Sequence, residues 1–121
     1  VKHHVKGVHY FIPSNLNWES VYNNKDRWTV YIDGDKLKDT NLQLRSRQTG
    51  DRFQPLGMNG KSQSLANYMT NSRIPYGLRD EMPLLVSGEH ILWIPGWRLD
   101  QRVRVRNTTQ TIWRIRMACP S

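Results

Sequence analysis

Apolar and polar positions alternate along this chain in short runs of strand length. Val8, Tyr10 and Ile12 alternate with His9 and Phe11 before Pro13, predicting a strand that runs into a Ser/Asn-rich loop. Trp18 and Tyr22 stand four apart and fit one side of a helical turn. Trp28, Val30 and Ile32 alternate with Thr29, Tyr31 and Asp33, a strand that Gly34 ends. The Asp33-Gly34-Asp35 sequence then predicts a turn whose carboxylates bond the backbone. Leu42 and Leu44 alternate with Gln43 and Arg45, as in a half-buried strand with one apolar and one cationic face. Gly50 breaks that strand, and Pro55 and Gly57 first restrict and then free the backbone, so residues 44–58 read as a strand entering a tight loop.

Helical spacing appears next. Ser62 or Ser64 can cap a short helix through Asn71, with Leu65, Tyr68 and Met69 on one face. A second short helix starts at Pro75, with Leu78 and Met82 four apart, Arg79 projecting from its flank and Pro83 ending it. Gly77 weakens that helix by about 1 kcal/mol relative to alanine. Leu84 to Val86 and His90 to Ile94 predict a hairpin turning through Ser87, Gly88 and Glu89. Residues 102–106 alternate Arg102, Arg104 and Arg106 with Val103 and Val105, and residues 111–117 set Trp113 and Ile115 against Arg114 and Arg116. A turn over 107–110 would pair these two strands and merge their arginines into one basic sheet surface. The expected class is therefore α+β: a small, strand-rich domain with two short helices.

Charge sharpens this picture. The 121 residues carry 18 Lys+Arg against 10 Asp+Glu, a formal net charge of +8. Residues 41–121 hold 12 basic against 5 acidic residues, while residues 1–40 hold 6 against 5. Eleven of those twelve are arginines, whose planar fork matches phosphate oxygens and stacks on bases. Nucleic acid is the partner this charge points to, set against the plain alternative of a solvated basic surface. Structured RNA fits better than DNA, because no long helix or zinc-finger spacing is available for a DNA major groove. Neither an RRM-type aromatic signature nor a KH-type GxxG loop is evident, which leaves shape and phosphate contacts.

Other chemistry is poorly provided for. There is no phosphate-binding P-loop, no Ser/His/Asp order in supporting context and no cysteine near a histidine, so the chain is not expected to be an enzyme by itself. His3, His4 and His9 lack acidic or cysteine residues to complete a ligand set, and the spacing of Asp33 and Asp35 suits a turn better than a magnesium site. The expected metal is none. The single cysteine, Cys119, permits no internal disulfide, and no apolar run is long enough to span a membrane, so a cytoplasmic location is expected. A start at Val1 suits a piece of a longer protein.

One ordered set of motifs goes further. Gly50-Asp51-Arg52-Phe53, Pro55-Leu56-Gly57-Met58, Ile74-Pro75, Arg79-Asp80, Pro83-Leu84-Leu85 and Ile91-Leu92-Trp93-Ile94-Pro95-Gly96 together resemble the C-terminal domain of bacterial tRNA(Ile)-lysidine synthetases, over about residues 31–109. The Gly50 to Met58 block is the most specific. The resemblance implies residues 1–27 as an N-terminal extension or lead-in and 28–121 as a C-terminal tRNA-binding domain. It also implies an unusual β-sandwich shared with part of the phenylalanyl-tRNA synthetase β-subunit. The parent enzyme would join lysine to the wobble cytidine of tRNA(Ile), using ATP and lysine with Mg in an N-terminal domain whose serine-glycine-glycine loop is absent here. No cofactor is expected in this piece.

By the same resemblance Arg45, Arg52, Lys61, Arg73 and Arg79 would touch phosphate or sugar on the acceptor-stem side of tRNA(Ile), and Asp51 would orient Arg52. Gly50, Pro55 and Gly57 would shape the loop. Two departures stand out: Gln63 and Ser64 replace a usual lysine pair, and Tyr76 replaces a frequent arginine, so that Tyr76 becomes a candidate for stacking on a base. The competing expectation is a docking domain, without RNA contact, for the parent catalytic domain or a homodimer partner. Exposed Trp93 or Trp97 would favour it.

Overall fold

The computed structural model describes residues 2–5, 8–11, 24–37 and 42–117, the first two segments as backbone alone. The expectations for Ile12 to Pro13, the loop after it, Trp18 with Tyr22, and Cys119 lie outside the described residues, as do the side chains of His3, His4 and His9. The chain forms two compact units, one from residues 1–40 and 103–121, the other from residues 41–102.

The first unit is built on an antiparallel sheet. Its strands are β1 (Lys2–Val5), β2 (Val8–Phe11), β3 (Thr29–Asp33) and, from the end of the chain, β10 (Ile112–Met117), in the order β1-β2-β10-β3. Alternation sets the faces. Ile115 pairs with Val30 and Trp113 with Ile32, and Val30, Ile32 and Ile115 are buried. Arg114 and Arg116 stand opposite Tyr31 and Thr29 on the other side. The Asp33 to Asp35 turn forms as expected: Asp35 N–H bonds Asp33 Oδ1 at 2.9 Å, and Asp35 accepts from the amides of Gln110 and Thr111. Gly34 is required there, because a Cβ would lie 2.7 Å from Trp113 Cδ1.

The second unit carries β4 (Leu42–Arg45), β5 (Arg52–Phe53), β6 (Gln63–Ser64), α1 (Leu65–Asn71), α2 (Tyr76–Arg79), β7 (Leu84–Ser87), β8 (His90–Ile94) and β9 (Arg98–Leu99). One sheet runs β4-β7-β8-β9, and β5 and β6 form a separate hairpin. The β7–β8 turn is reached at the expected place, with Gly88 at φ 58°. Ser64 caps α1 by accepting from Asn67 N–H at 3.1 Å, which frees the apolar Leu65, Tyr68 and Met69 face to pack. That face joins Phe53, Ile74, Leu84, Val86, Ile91 and Ile94 in one core. Phe53 meets Tyr68 edge to face at 5.1 Å.

Two expectations are corrected here. Residues 102–106 are not a strand: Gln101–Val103 is a 3₁₀ turn, and β10 pairs with β2 and β3 instead. The reason is Asp100, a buried carboxylate that takes the Arg102 backbone N–H at 2.8 Å and its guanidinium at 3.0 Å, bending the chain before alternation can act. Arg106 lies 3.6 Å from Asp33. The arginines of 102–106 and 114–116 therefore do not merge into one sheet surface. The second correction concerns the faces of α2, whose single turn agrees with the weakening expected from Gly77: Leu78 is exposed and Arg79 is buried.

Candidate nucleic-acid interface

The loop from Arg45 to Arg52 is closed by one carboxylate. Asp51 accepts both Arg45 guanidinium nitrogens, at 2.9 and 3.0 Å, and the Gln48 N–H at 2.8 Å. Burial pushes the Asp51 carboxyl up, but the Arg45 hydrogen bond, the Gln48 amide and the Arg45 charge together outweigh it and leave the group below its ordinary value. Of the two roles its position allows, Asp51 thus takes the backbone N–H of the turn, and the guanidinium it braces is that of Arg45, six residues back, instead of Arg52. Gly50, at φ 88°, lets the chain turn between them. A cleft of about 330 Å³ opens between residues 47–51 and the start of α1, with Arg47 and Asp80 paired at 2.7 Å on its wall.

Arg79 is likewise occupied. Helix α1 ends in a Schellman motif: Ile74 N–H bonds Met69 C=O and Arg73 N–H bonds Thr70 C=O, with Arg73 at φ 58°. Arg79 lies 5% exposed against that corner and donates to Ile74 O at 2.8 Å, Thr70 Oγ1 at 3.1 Å and Met69 O at 3.3 Å. A cation at the C-terminal end of a helix, among carbonyls, needs no carboxylate there. Its guanidinium also stacks on Tyr76, 3.9 Å from the ring centroid, and Tyr76 is 77% exposed. Arg79, expected to project from the helix flank, is instead buried among these acceptors.

The other three cations are placed differently. Arg52 is exposed on β5 and donates from Nε to Ser62 Oγ at 3.1 Å, next to Lys61. Lys61 and Arg73 are exposed too, and among the described residues none of the three has a carboxylate partner. The loop from Pro55 to Lys61 is held by its own backbone, with Met58 N–H on Pro55 O and Lys61 N–H on Met58 O. Gly57 at φ 94° and Gly60 at φ 81° supply the turns, and Pro55 is buried and bridged to Asp100. Arg98, which sequence reading missed, lays its Nη1 3.4 Å from Leu56 O, beside the same loop. The only signal for it is the alternation of Trp97 and Leu99 around a lone arginine. Tyr76 and Arg73 flank the α1–α2 corner, away in sequence from the β5–β6 hairpin.

Among the described residues no three His, Cys, Asp or Glu side chains gather into a metal site, and no helix is long and apolar enough to cross a membrane. Trp93 is buried and Trp97 packs half-buried against the core, so neither offers the exposed indole that a docking surface would use.

Comparison with known proteins gives a consistent result. The family model described as the TilS substrate C-terminal domain matches residues 42–117. A tRNA(Ile)-lysidine synthase from Dehalococcoides mccartyi is 40% identical over 86 residues, covering 71% of this chain and 18% of that protein. One from Clostridium tetani is 38% identical over 93 residues, covering 77% and 20%. The chain spans about a fifth of the length of these curated relatives. Among solved structures, the crystal structure of a TilS C-terminal domain superposes with a TM-score of 0.71 at 21% identity, covering 95% of this chain and 87% of that one. The small strand-rich fold with two short helices is that fold.

Proposed function

Given that the chain belongs to the TilS substrate C-terminal domain family, we propose that it is the non-catalytic tRNA-gripping part of an ATP-dependent ligase that attaches lysine to the wobble cytidine of tRNA(Ile). In this reading the parent enzyme is cytoplasmic, its ATP, lysine and Mg are bound by a catalytic domain outside this piece, and residues 1–27 lead into a tRNA-binding domain at 28–121. Kinship with the β-sandwich domain of the phenylalanyl-tRNA synthetase β-subunit belongs to the same proposal.

The observation that carries it is the partition of the cations. Arg52 and Lys61 flank one rigid hairpin loop without a carboxylate among the described residues, and Arg73 holds a positive φ that glycine would adopt at no steric cost. Exposed, unneutralised cations on fixed backbone suit the sugar-phosphate side of an acceptor stem. Tyr76, backed by Arg79, supplies a ring on which a base can stack. Arg45, Asp51, Gly50, Pro55 and Gly57 hold the loop in shape, and Arg79 serves its neighbour and not the phosphate.

The test is a titration of the chain with an acceptor-stem minihelix of tRNA(Ile) at about 50 and 200 mM salt. Three phosphate contacts would weaken binding roughly 40-fold across that range. Replacing Arg52 and Lys61 together by glutamine should lower the logarithmic salt slope by about two. An unchanged slope would remove the hairpin from the interface. The alternative reading, docking on the parent catalytic domain or a second copy, draws on the exposed Tyr76 and Leu78 of α2. It would appear as salt-insensitive association without RNA affinity.

A further inference from the structure

The loop that carries Lys61 has a tip that phosphate contacts leave unused. It consists of Met58, 45% exposed, and Asn59, exposed and held in the left-handed region at φ 53°. Both limbs below the tip are pinned. On the entering side Leu56 N–H bonds Leu99 O at 2.9 Å and Gln101 N–H bonds Gln54 O at 2.7 Å; on the leaving side Lys61 N–H bonds Met58 O at 3.0 Å. A Cβ built on Gly57 would meet no heavy atom of the described residues within 4 Å, so that edge of the tip is open. Each limb also carries an exposed cation, Arg98 beside Leu56 O on the entering side and Lys61 on the leaving side. Among the described residues neither has a carboxylate partner. Asp100, bridged to Pro55 at the base of the loop, is 1% exposed and taken up by Arg102 and the Gln54 amide.

We propose that Met58 and Asn59 form a wedge for the minor groove of an A-form RNA duplex, the methionine lying on its sugars and the asparagine amide meeting a 2′-hydroxyl, while Arg98 and Lys61 meet phosphates on either side. This assignment, which rests on the acceptor-stem reading, names the groove and the residues that enter it. Groove shape decides between the two sides of the duplex. The major groove of A-form RNA is deep, narrow and closed to side chains, whereas the minor groove is wide and shallow and displays 2′-hydroxyls. A short, preformed loop with an apolar tip suits the second surface, and methionine is flexible enough to follow an irregular contour. The amide of Asn59 has both donors and an acceptor for a hydroxyl that DNA lacks. An anchor for a protein partner would stand in a core depleted of charge. Met58 instead has Gly57, Asn59 and Gly60 around it, with a cation on each limb.

Fluorescence anisotropy with a blunt RNA duplex of acceptor-stem sequence, and with a DNA duplex of the same sequence, reads each part of the wedge. Met58→Ala should weaken RNA binding about fivefold or more and leave the salt slope unchanged, because the contact it removes carries no charge. Asn59→Gly keeps the left-handed backbone while removing the amide, and should bring the RNA and DNA affinities together. Arg98→Gln should lower the logarithmic salt slope by about 0.9. Thermal unfolding matched to wild type shows that each variant is folded. Undiminished RNA affinity in Met58→Ala, or an RNA preference that is absent from wild type or survives in Asn59→Gly, would overturn the wedge and leave the phosphate contacts of Arg52 and Lys61 standing. An unchanged slope in Arg98→Gln would overturn it as well. Failure of the wild-type chain to bind the RNA duplex would remove the wedge and the acceptor-stem reading together. Self-association lost in Met58→Ala with RNA affinity intact would make the loop a protein anchor instead.

Discussion

Arg79 and Arg52 belong to the same compact unit, and each follows the same loop-and-corner logic to an opposite end. Arg79 turns inward, where three acceptors of the α1 terminus and the face of Tyr76 surround its guanidinium. Arg52 stays outside, tied through one nitrogen to Ser62. Arg45 falls with Arg79, because Asp51 takes both of its terminal nitrogens; Arg73 and Lys61 fall with Arg52. The difference teaches that arginine in a basic domain is not one kind of residue. Where acceptors converge on it, it holds a corner together; where they do not, its charge remains available to a partner.

The largest test of that division is Arg79→Ala, which strips hydrogen bonds from buried carbonyls and should cost about 3 kcal/mol of unfolding free energy in urea. A near-neutral result would mean that Arg79 and Arg52 do not differ in kind. Asp51→Asn should cost about 2 kcal/mol at pH 7 by unpairing Arg45. Because the folded Asp51 carboxyl lies below its unfolded value of about 3.9, its contribution is complete only above about pH 5 and disappears as pH falls through the folded value. The stability gap between wild type and Asp51→Asn should accordingly narrow as pH falls from about 5 through the unfolded value and on through the lower folded one, and a constant gap would contradict the brace. Arg73→Gly should raise stability by about 0.5 kcal/mol through relief of the positive φ while weakening minihelix binding. Arg52→Gln should change stability by less than about 0.5 kcal/mol, so that any loss of RNA affinity reports the interface alone.

Much of the fold was legible because its signals are local. Ser64 three residues ahead of Asn67, the Gly88 turn and the alternation of Thr29 to Asp33 each specify an element within a few residues. The 102–106 run shows where this stops. Its alternation is regular, yet Asp100, which also binds the Gln54 amide 46 residues away, turns the chain before a strand can form. Arg79 was misplaced for a related reason: the direction of a one-turn helix is set by the carbonyls it meets, and sequence does not display them. For the candidate site, the block from Gly50 to Met58 marked a loop but did not show which arginine Asp51 would hold. Arg98 carried no motif at all.

The first unit is closed by a turn that joins distant parts of the chain, with Asp35 gripping the amides of Gln110 and Thr111 about 75 residues later. Residues 41–102 form the other unit as one uninterrupted stretch. During synthesis, then, the inner unit has all its strands as soon as residue 102 leaves the ribosome, whereas β3 must wait unpaired with β10 until the final strand emerges. The stretch 41–102 can therefore pack before the sheet that flanks it in sequence has its last described strand.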